Sequence, residues 1–267
     1  MWGFVWDGEC GAVDPKKLRA IEEAFDCPPV NEDMRRFIEW IASYTLSAPG
    51  MVARMVLRVP AAFDPEPPVE GLRFTGSLPE RMTDARRRVL EHAADGLAWT
   101  RSGLAHTAGV SSAVIDGLRE QGAFEPVLLP ARPIVARPDP GYAAPELTSA
   151  QGEAAARLRE KASRGFSVTL LDGVTGSGKT EVYFEAIAAA LEEDRQVLVL
   201  VPEIALTQQF LERFQDRFGA KPAEWHSDLA PRSRERVWRQ VAEGAVRVVA
   251  GARSALFLPC RELGLIV

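Results

Sequence analysis

The chain has 267 residues, of which 46% are hydrophobic and 26% charged; these values suit a folded protein of two or three units and exclude a disordered or fibrous one. Its formal charge of −5 excludes the basic surface of a general nucleic-acid coat, so any contact with DNA must be local. No apolar run approaches the roughly 18 residues that span a bilayer, and residues 1–9 lack the basic flank and apolar stretch of a secretion signal, so a cytoplasmic protein with no membrane partner is expected.

At the start of the chain, Trp2, Phe4 and Trp6 alternate with Gly3 and Val5 as in a short strand. Over 34–46, Phe37, Ile38, Ile41, Tyr44 and Thr45 recur at helical spacing with Trp40 beside them, after Asn31 as a cap, which predicts a core-facing helix. Cys10, Cys27 and Cys260 lie too far apart for a paired C-x-x-C, so the thiols read as free. Two proline-rich stretches, 62–71 and 129–145, read as linkers that set apart an N-terminal piece to about residue 65. Between them, 72–128 reads as helix 83–94, short helix 102–106, a turn at Ala108-Gly109-Val110, helix 111–121 and strand 124–129, the order of a winged-helix module. Ser111 and Ser112 suit the cap of the second of those paired helices, Val114, Ile115 and Leu118 its apolar face, and Gly122 its end. Its exposed positions are Asp116, Arg119, Glu120 and Gln121, and the carboxylates would repel phosphates. The residues therefore leave both DNA binding and docking of a partner protein open.

From Phe166 the pattern changes. Residues 166–171, Phe-Ser-Val-Thr-Leu-Leu, read as a buried strand, followed by Gly173-Val174-Thr175-Gly176-Ser177-Gly178-Lys179-Thr180 and a helix through Leu191. This is G-x-x-x-x-G-K-T in strand, loop and helix context. Its glycines let backbone N–H groups turn inward around the phosphates of ATP, Lys179 offers a point charge to the β- and γ-phosphates, and the Thr180 hydroxyl suits Mg2+. Lys179 and Thr180 are thus the candidate catalytic pair. The continuously apolar run 197–201 reads as a parallel strand covered on both faces. With further strands at 246–250 and 263–267, residues 146–267 are expected to form an α/β, P-loop (RecA-like) lobe with a parallel sheet.

A P-loop does not by itself separate kinases, GTPases, transporters and nucleic-acid motors. Val201-Pro-Glu-Ile-Ala-Leu-Thr207 follows the second strand, and Gly251-Ala-Arg253-Ser254-Ala-Leu-Phe257 the third. These resemble motifs Ia and Ib of the superfamily 2 helicases, whose loops hold single-stranded DNA by its backbone, which implies Thr207, Arg253 and Ser254 as DNA contacts. Gln151, in Leu147-Thr-Ser-Ala-Gln151, is similar to the glutamine that reads adenine in that superfamily; an amide has the donor and the acceptor this needs. Glu181 reads as a charge favoured by the helix dipole, and His226 as a structural polar contact.

The strings GVTGSGKTEVY at 173–183, LVPEIALT at 200–207, HSDL at 226–229, SRERVW at 233–238 and GARSALFLP at 251–259 resemble the primosomal protein N′ (PriA) family, densely over about 165–267. The helix at 37–44 and the middle module fit the domain order of that family: a DNA 3′-end-binding domain, a winged helix, then the motor. The resemblance implies a 3′-to-5′ DNA helicase using ATP and Mg2+ in primosome assembly and restart of stalled forks. It implies single-stranded and forked DNA, single-stranded DNA-binding protein and other primosome proteins as partners. It also implies an acidic DEEH motif directly after Val267, a second lobe with an arginine finger, cysteines holding Zn2+, and more of the 3′-end-binding domain ahead of Met1. The chain is accordingly expected to be a piece of a longer protein that does not hydrolyse ATP alone. A DNA-stimulated ATPase that separates no strands and a nucleotide-gated winged-helix adaptor are the rival readings.

Overall fold

The computed structural model describes residues 6, 14, 16, 20–57, 59–162, 164–202 and 208–267. The strand read at 2–6 lies outside the described residues, Trp6 excepted. The chain forms two compact units, one of Met1–Pro65 with Pro133–Val267, the other of Glu66–Arg132.

The first unit opens with helices α1 (Glu32–Thr45) and α2 (Pro49–Val56). Asn31 caps α1 as its sequence position predicts: its Oδ1 accepts the Met34 N–H at 2.9 Å, which satisfies one of the orphan donors of a helix start. Its Nδ2 donates to the Cys260 carbonyl at 2.8 Å, so one side chain also ties α1 to the far end of the chain. Pro49 begins α2 at a position where a missing N–H costs nothing. The buried stripe of α1 is Ile38 and Ala42, four residues apart. Phe37, Trp40 and Tyr44, expected to face the core, lie on a neighbouring stripe, where they stack on one another with interplanar angles of 11° and 12°. Trp40 and Tyr44 remain 60% and 76% exposed.

The second unit holds β1 (Val69–Phe74), α3 (Asp84–Ala93), β2 (Ala98–Thr100), α4 (Arg101–Ala108), α5 (Ser112–Glu120) and β3 (Phe124–Leu129). Its sheet runs β2-β1-β3, antiparallel throughout. The central strand β1 therefore begins inside the stretch read as a linker. Gly71 lets that strand pass Leu129, because a Cβ there would meet the leucine Cγ at 2.6 Å. Thr83 and Thr100 cap α3 and α4 with their hydroxyls. Ser111 stands at the N-cap of α5 without making such a bond. Leu72, Val89, Leu104, Ile115, Leu118 and Phe124 form the core, each fully buried branched side chain contributing about 1.5–3 kcal/mol. On α5, Asp116 is ion-paired with Arg101 and Arg119 with Glu70 at 2.9 Å, so its charges are largely neutralised from within the unit.

The rest of the first unit comprises α6 (Ser149–Ala162), α7 (Lys179–Glu192), β4 (Gln196–Leu200), α8 (Gln208–Phe218), β5 (Ala223–Trp225), α9 (Pro231–Ala242), β6 (Val248–Gly251) and β7 (Leu263–Ile266). The strands make one parallel sheet in the order β5-β6-β4-β7. One face packs on Phe184, Ile187, Phe214 and Phe218 of α7 and α8. The other is covered by Val237, Trp238 and Val241 of α9 together with Ile38, Val52 and Val56 of α1 and α2. Both faces being covered, β4 is apolar from Val197 to Leu200, as expected of a buried parallel strand. The buried Gln196 side chain donates to the Val241 and Val246 carbonyls at 3.0 and 2.8 Å and accepts the Glu262 N–H at 3.0 Å, so it is satisfied by three neighbouring segments.

Two stretches differ from their sequence reading. The strand expected at 166–171 does not form: it pairs with neither outer strand of the sheet, and Phe166, Val168 and Leu170 are 98%, 82% and 89% exposed. An apolar run becomes a strand only when a neighbour takes its N–H and C=O groups, and here none does. From Ile134 onward, the proline-rich stretch is hydrogen-bonded along the lobe. The Ile134 N–H donates to Gln240 Oε1 at 2.9 Å, and the Asp139 and Ala143 N–H groups donate to the Phe218 and Arg217 carbonyls. Arg217, nearly buried, answers by donating to the Pro140 carbonyl at 2.8 Å and pairing with Glu185 at 2.8 Å.

Candidate functional site

The loop between residue 172 and α7 is shaped by its glycines. Gly176 and Gly178 have φ of 81° and 80°, the left-handed region where a side chain is strained. Gly178 is the N-cap of α7, and its carbonyl accepts the Glu181 and Val182 N–H groups at 3.0 and 3.3 Å. Lys179 and Thr180 then open the first turn, and their N–H groups have no intrahelical acceptor and point out of the helix end. The helix dipole adds positive potential at the same place.

Lys179 is half-buried rather than fully exposed, with Nζ 2.6 Å from the Gly173 carbonyl and 3.0 Å from the Val174 carbonyl. Its ammonium thus lies within the loop, held by two oxygens that a phosphate oxygen could replace. At Gly173 a Cβ would meet Ser177 Oγ at 2.8 Å, so any larger residue there would force the serine side chain to move. Thr175 and Ser177 are exposed along its rim. Glu181 is ion-paired with Arg213 of α8. Burial pushes the Tyr183 phenol up from its ordinary value, Thr180 and Arg213 opposing the shift.

Gln151 reaches this loop from α6. Its Nε2 donates to the Ser177 carbonyl at 2.9 Å, and a Cβ on Gly178 would come within 2.3 Å of that nitrogen. Its Oε1 accepts the Thr148 N–H at 2.9 Å while the Thr148 hydroxyl accepts the Gln151 N–H at 3.4 Å. Thr148 and Gln151 are therefore a reciprocal capping box for α6, legible in the sequence as T-x-x-Q. One amide proton and one lone pair of Gln151 stay available. Arg159 holds α6 against α7, donating to the Glu185 carbonyl and pairing with Glu192 at 2.6 Å.

Arg253 and Ser254 stand together, exposed, in a 3-10 turn, Arg253–Phe257, just past the C-terminal end of β6. The turn hangs on a close backbone approach: a Cβ on Gly251 would be 2.4 Å from the Trp225 carbonyl oxygen. Thr207 lies outside the described residues. His226 contacts Glu224 at 3.6 Å, and its carbonyl accepts from Arg234 at 3.0 Å. Arg213 carries no sequence signal of its own.

Among the described residues no three or more His, Cys, Asp or Glu side chains come close enough to hold a metal ion. The loop offers the Thr180 hydroxyl at the start of α7, beside a phosphate cradle with Thr175 and Ser177 on its rim. That donor set fits Mg2+ shared with nucleotide phosphates, the usual way this ion is bound. No helix among the described residues is long and apolar enough to cross a membrane.

Residues 144–251 match the sequence model of a family described as the Type III restriction enzyme res subunit, and residues 1–58 match a 3′DNA-binding domain, 3′BD, of PriA. The replication restart protein PriA of Synechocystis sp. is 35% identical over 236 residues, 86% of this chain and 26% of that protein. The chain belongs to the PriA family. PriA of Rickettsia conorii is 45% identical over 126 residues, 47% of this chain and 19% of the relative. PriA of Bacillus subtilis is 45% identical over 122 residues, 45% of this chain and 15% of the relative. The matched stretch thus spans about a quarter or less of these PriA proteins. The first matched segment of the chain holds α1 and α2, the second holds Gln151 and the P-loop, and the unit Glu66–Arg132 lies between them.

Proposed function

We propose that this chain carries the ATP-binding lobe, and part of the DNA-binding region, of a PriA-type 3′-to-5′ DNA helicase that acts in primosome assembly and replication restart in the cytoplasm. The observation that carries the reading is the loop Gly173–Thr180, with Lys179 held on replaceable carbonyl oxygens and Gln151 anchored on its rim. In this reading Lys179 leaves the Gly173 and Val174 carbonyls to meet the β- and γ-phosphates, while the first-turn amides of α7 hold the same oxygens. Gln151 keeps the loop in place with one amide proton and offers its remaining donor and lone pair to the adenine edge. When bound, Mg2+ neutralises phosphate charge, and Thr180 would be its ligand from this chain. Arg253 and Ser254, with Thr207, offer donors to the backbone of single-stranded DNA, including the single-stranded arm of a fork.

The unit Glu66–Arg132 has three helices and a three-stranded antiparallel sheet, which supports the winged-helix reading. The pairing of Arg119 with Glu70 and Asp116 with Arg101 favours protein docking over phosphate contact on α5. Single-stranded DNA-binding protein and other primosome proteins are the expected partners. Calorimetric titration with a non-hydrolysable ATP analogue tests the central claim. Lys179→Ala is expected to lower affinity strongly with little loss of stability, because the lysine contacts only loop carbonyls. Equal affinity in both proteins would remove the assignment.

A further inference from the structure

We propose that the rings of Phe37, Trp40 and Tyr44 on α1 form a stacking platform for the unpaired bases of single-stranded DNA, continuing the backbone contact made by Arg253 and Ser254. The inference rests on the DNA-binding reading above and adds a surface to it.

Positions 37, 40 and 44 lie three and four residues apart and so share one stripe of α1, beside the buried stripe of Ile38 and Ala42. The ring centroids of Phe37 and Trp40 are 6.5 Å apart and those of Trp40 and Tyr44 5.2 Å, with planes parallel to within 11° and 12°. Aromatic pairs in the cores are inclined instead, by 86° for Phe184 and Phe214, 58° for Phe63 and Trp238, and 54° for Phe74 and Phe124. The ladder on α1 is thus parallel and faces solvent, with Trp40 and Tyr44 60% and 76% exposed. At these separations the rings are offset, so part of each face stays uncovered. Beyond Tyr44 no further ring follows among the described residues.

The other end of the ladder indicates what fills it. Phe37 meets Phe257 at 5.7 Å, and Phe257 closes the same five-residue turn that Arg253 opens. Arg253 and Ser254 are exposed, and Arg253 pairs with no carboxylate among the described residues. A cation and a hydroxyl suited to phosphates are therefore joined, through one turn, to a row of flat apolar faces. Single strands are held by this combination, a charge that tracks the backbone and aromatic faces on which successive bases stack. A protein partner would use the apolar stripe but needs neither parallel ring planes nor a free guanidinium beside them. Of the carboxylates on α1, Glu32 pairs with Arg36 at 2.6 Å, Glu39 accepts from Trp6 Nε1 at 3.2 Å, and Asp33 stands at the helix start.

The test follows the full chain by anisotropy with fluorescein-labelled oligothymidine and with a strand of the same length and backbone that carries no bases. Trp40→Ala and Tyr44→Ala are each expected to weaken binding of oligothymidine about 5- to 150-fold, with the melting temperature unchanged. The slope of affinity against salt should also stay as it is, because that slope counts phosphate contacts. Neither variant should bind the abasic strand less tightly than the wild type does, and Tyr44→Phe, which keeps the ring, should bind oligothymidine as the wild type does. Unchanged affinity for oligothymidine in both alanine variants overturns the proposal, as does an equal loss on both strands, which would mark a structural role. A wild type that sediments as a dimer, becoming monomeric in Trp40→Ala with DNA affinity intact, overturns it too and gives the stripe to a second copy. Should the alanine variants fail to fold, tryptophan emission decides: oligothymidine should quench it in the wild type and less in Trp40→Phe, and equal quenching overturns the proposal. A wild-type chain that binds neither strand would instead defeat the reading on which this one rests.

Discussion

Alanine at position 178 probes the loop and its anchor together. Gly178 has a φ of 80°, a conformation that costs a residue with a side chain about 1–2 kcal/mol. The added Cβ would lie 2.3 Å from Gln151 Nε2, so the carboxamide must move and its bond to the Ser177 carbonyl is lost, a further 0.5–1.5 kcal/mol or so. In the free protein the variant loop escapes both costs by leaving the left-handed conformation. The bound loop cannot, so the sum of about 1.5–3.5 kcal/mol falls on binding and lowers affinity about 10- to 400-fold. Titration calorimetry with an ATP analogue on the wild type, Gly178→Ala, Gln151→Ala and the double variant measures this. Because Gln151 is already displaced in Gly178→Ala, the double variant should fall short of the summed losses by about 1 kcal/mol. Affinity of Gly178→Ala within about twofold of wild type, a change under about 0.5 kcal/mol, or strict additivity, refutes the reasoning.

Arg253→Ala is expected to weaken binding of single-stranded DNA of any sequence and to flatten the slope of log affinity against log salt by about 0.7, as read by fluorescence anisotropy; an unchanged slope moves the DNA site elsewhere. Arg217→Met leaves Glu185 without its nearer partner. Breaking a buried pair costs about 3–5 kcal/mol, and the lower end applies because Arg159 stands 3.6 Å from the same carboxylate; at about 2–4 °C per kcal/mol, thermal unfolding should shift down by about 6–12 °C. Burial pushes the Cys260 thiol up to about 12 from 9.0. The native thiol therefore stays protonated and should resist alkylation near pH 8 until the chain is unfolded. The same shift sets a sign for stability: the unfolded thiol ionises first, so this contribution is complete below 9.0 and is lost as pH rises from there toward about 12. Denaturant midpoints should fall over that range less steeply in Cys260→Ala.

What was legible in the sequence had a local cause. Asn31 caps α1 through its neighbour Met34, and the glycines of 173–178 sit where the backbone itself requires them. The apolar run of β4 reflects cover on both sides, and it was readable because every residue carried the signal. What was not legible depends on residues far along the chain. Residues 166–171 have the composition of a strand, yet pairing needs a neighbour that composition cannot supply. The prolines of 133–145 suggested a free linker, while the N–H groups between them find carbonyls at Arg217 and Phe218. β5, only three residues long, is too short to show a period. In α1 the apolar and aromatic positions blend into one broad stripe, and only packing separates buried Ile38 from exposed Trp40. At the site, Gln151 drew notice through the string Leu147–Gln151 and does reach the loop, whereas the pairing of Arg213 with Glu181 is set by α8 packing onto α7.

The route of the chain through its two units has a kinetic consequence. Trp238 Nε1 donates to the Val56 carbonyl at 2.9 Å, and Arg239 donates to the Phe63 carbonyl at 2.9 Å, contacts that close loops of 182 and 176 residues. The whole of Glu66–Arg132 is threaded within those loops as an insertion with its own core. Closing so long a loop is slow while the intervening chain is random. If the insertion folds first, its 67 residues shrink to the separation of its two ends, and the entropic cost of bringing α2 to α9 falls accordingly. In that order of events, the middle unit helps the lobe that surrounds it in sequence to fold, through the length of chain it removes from the search.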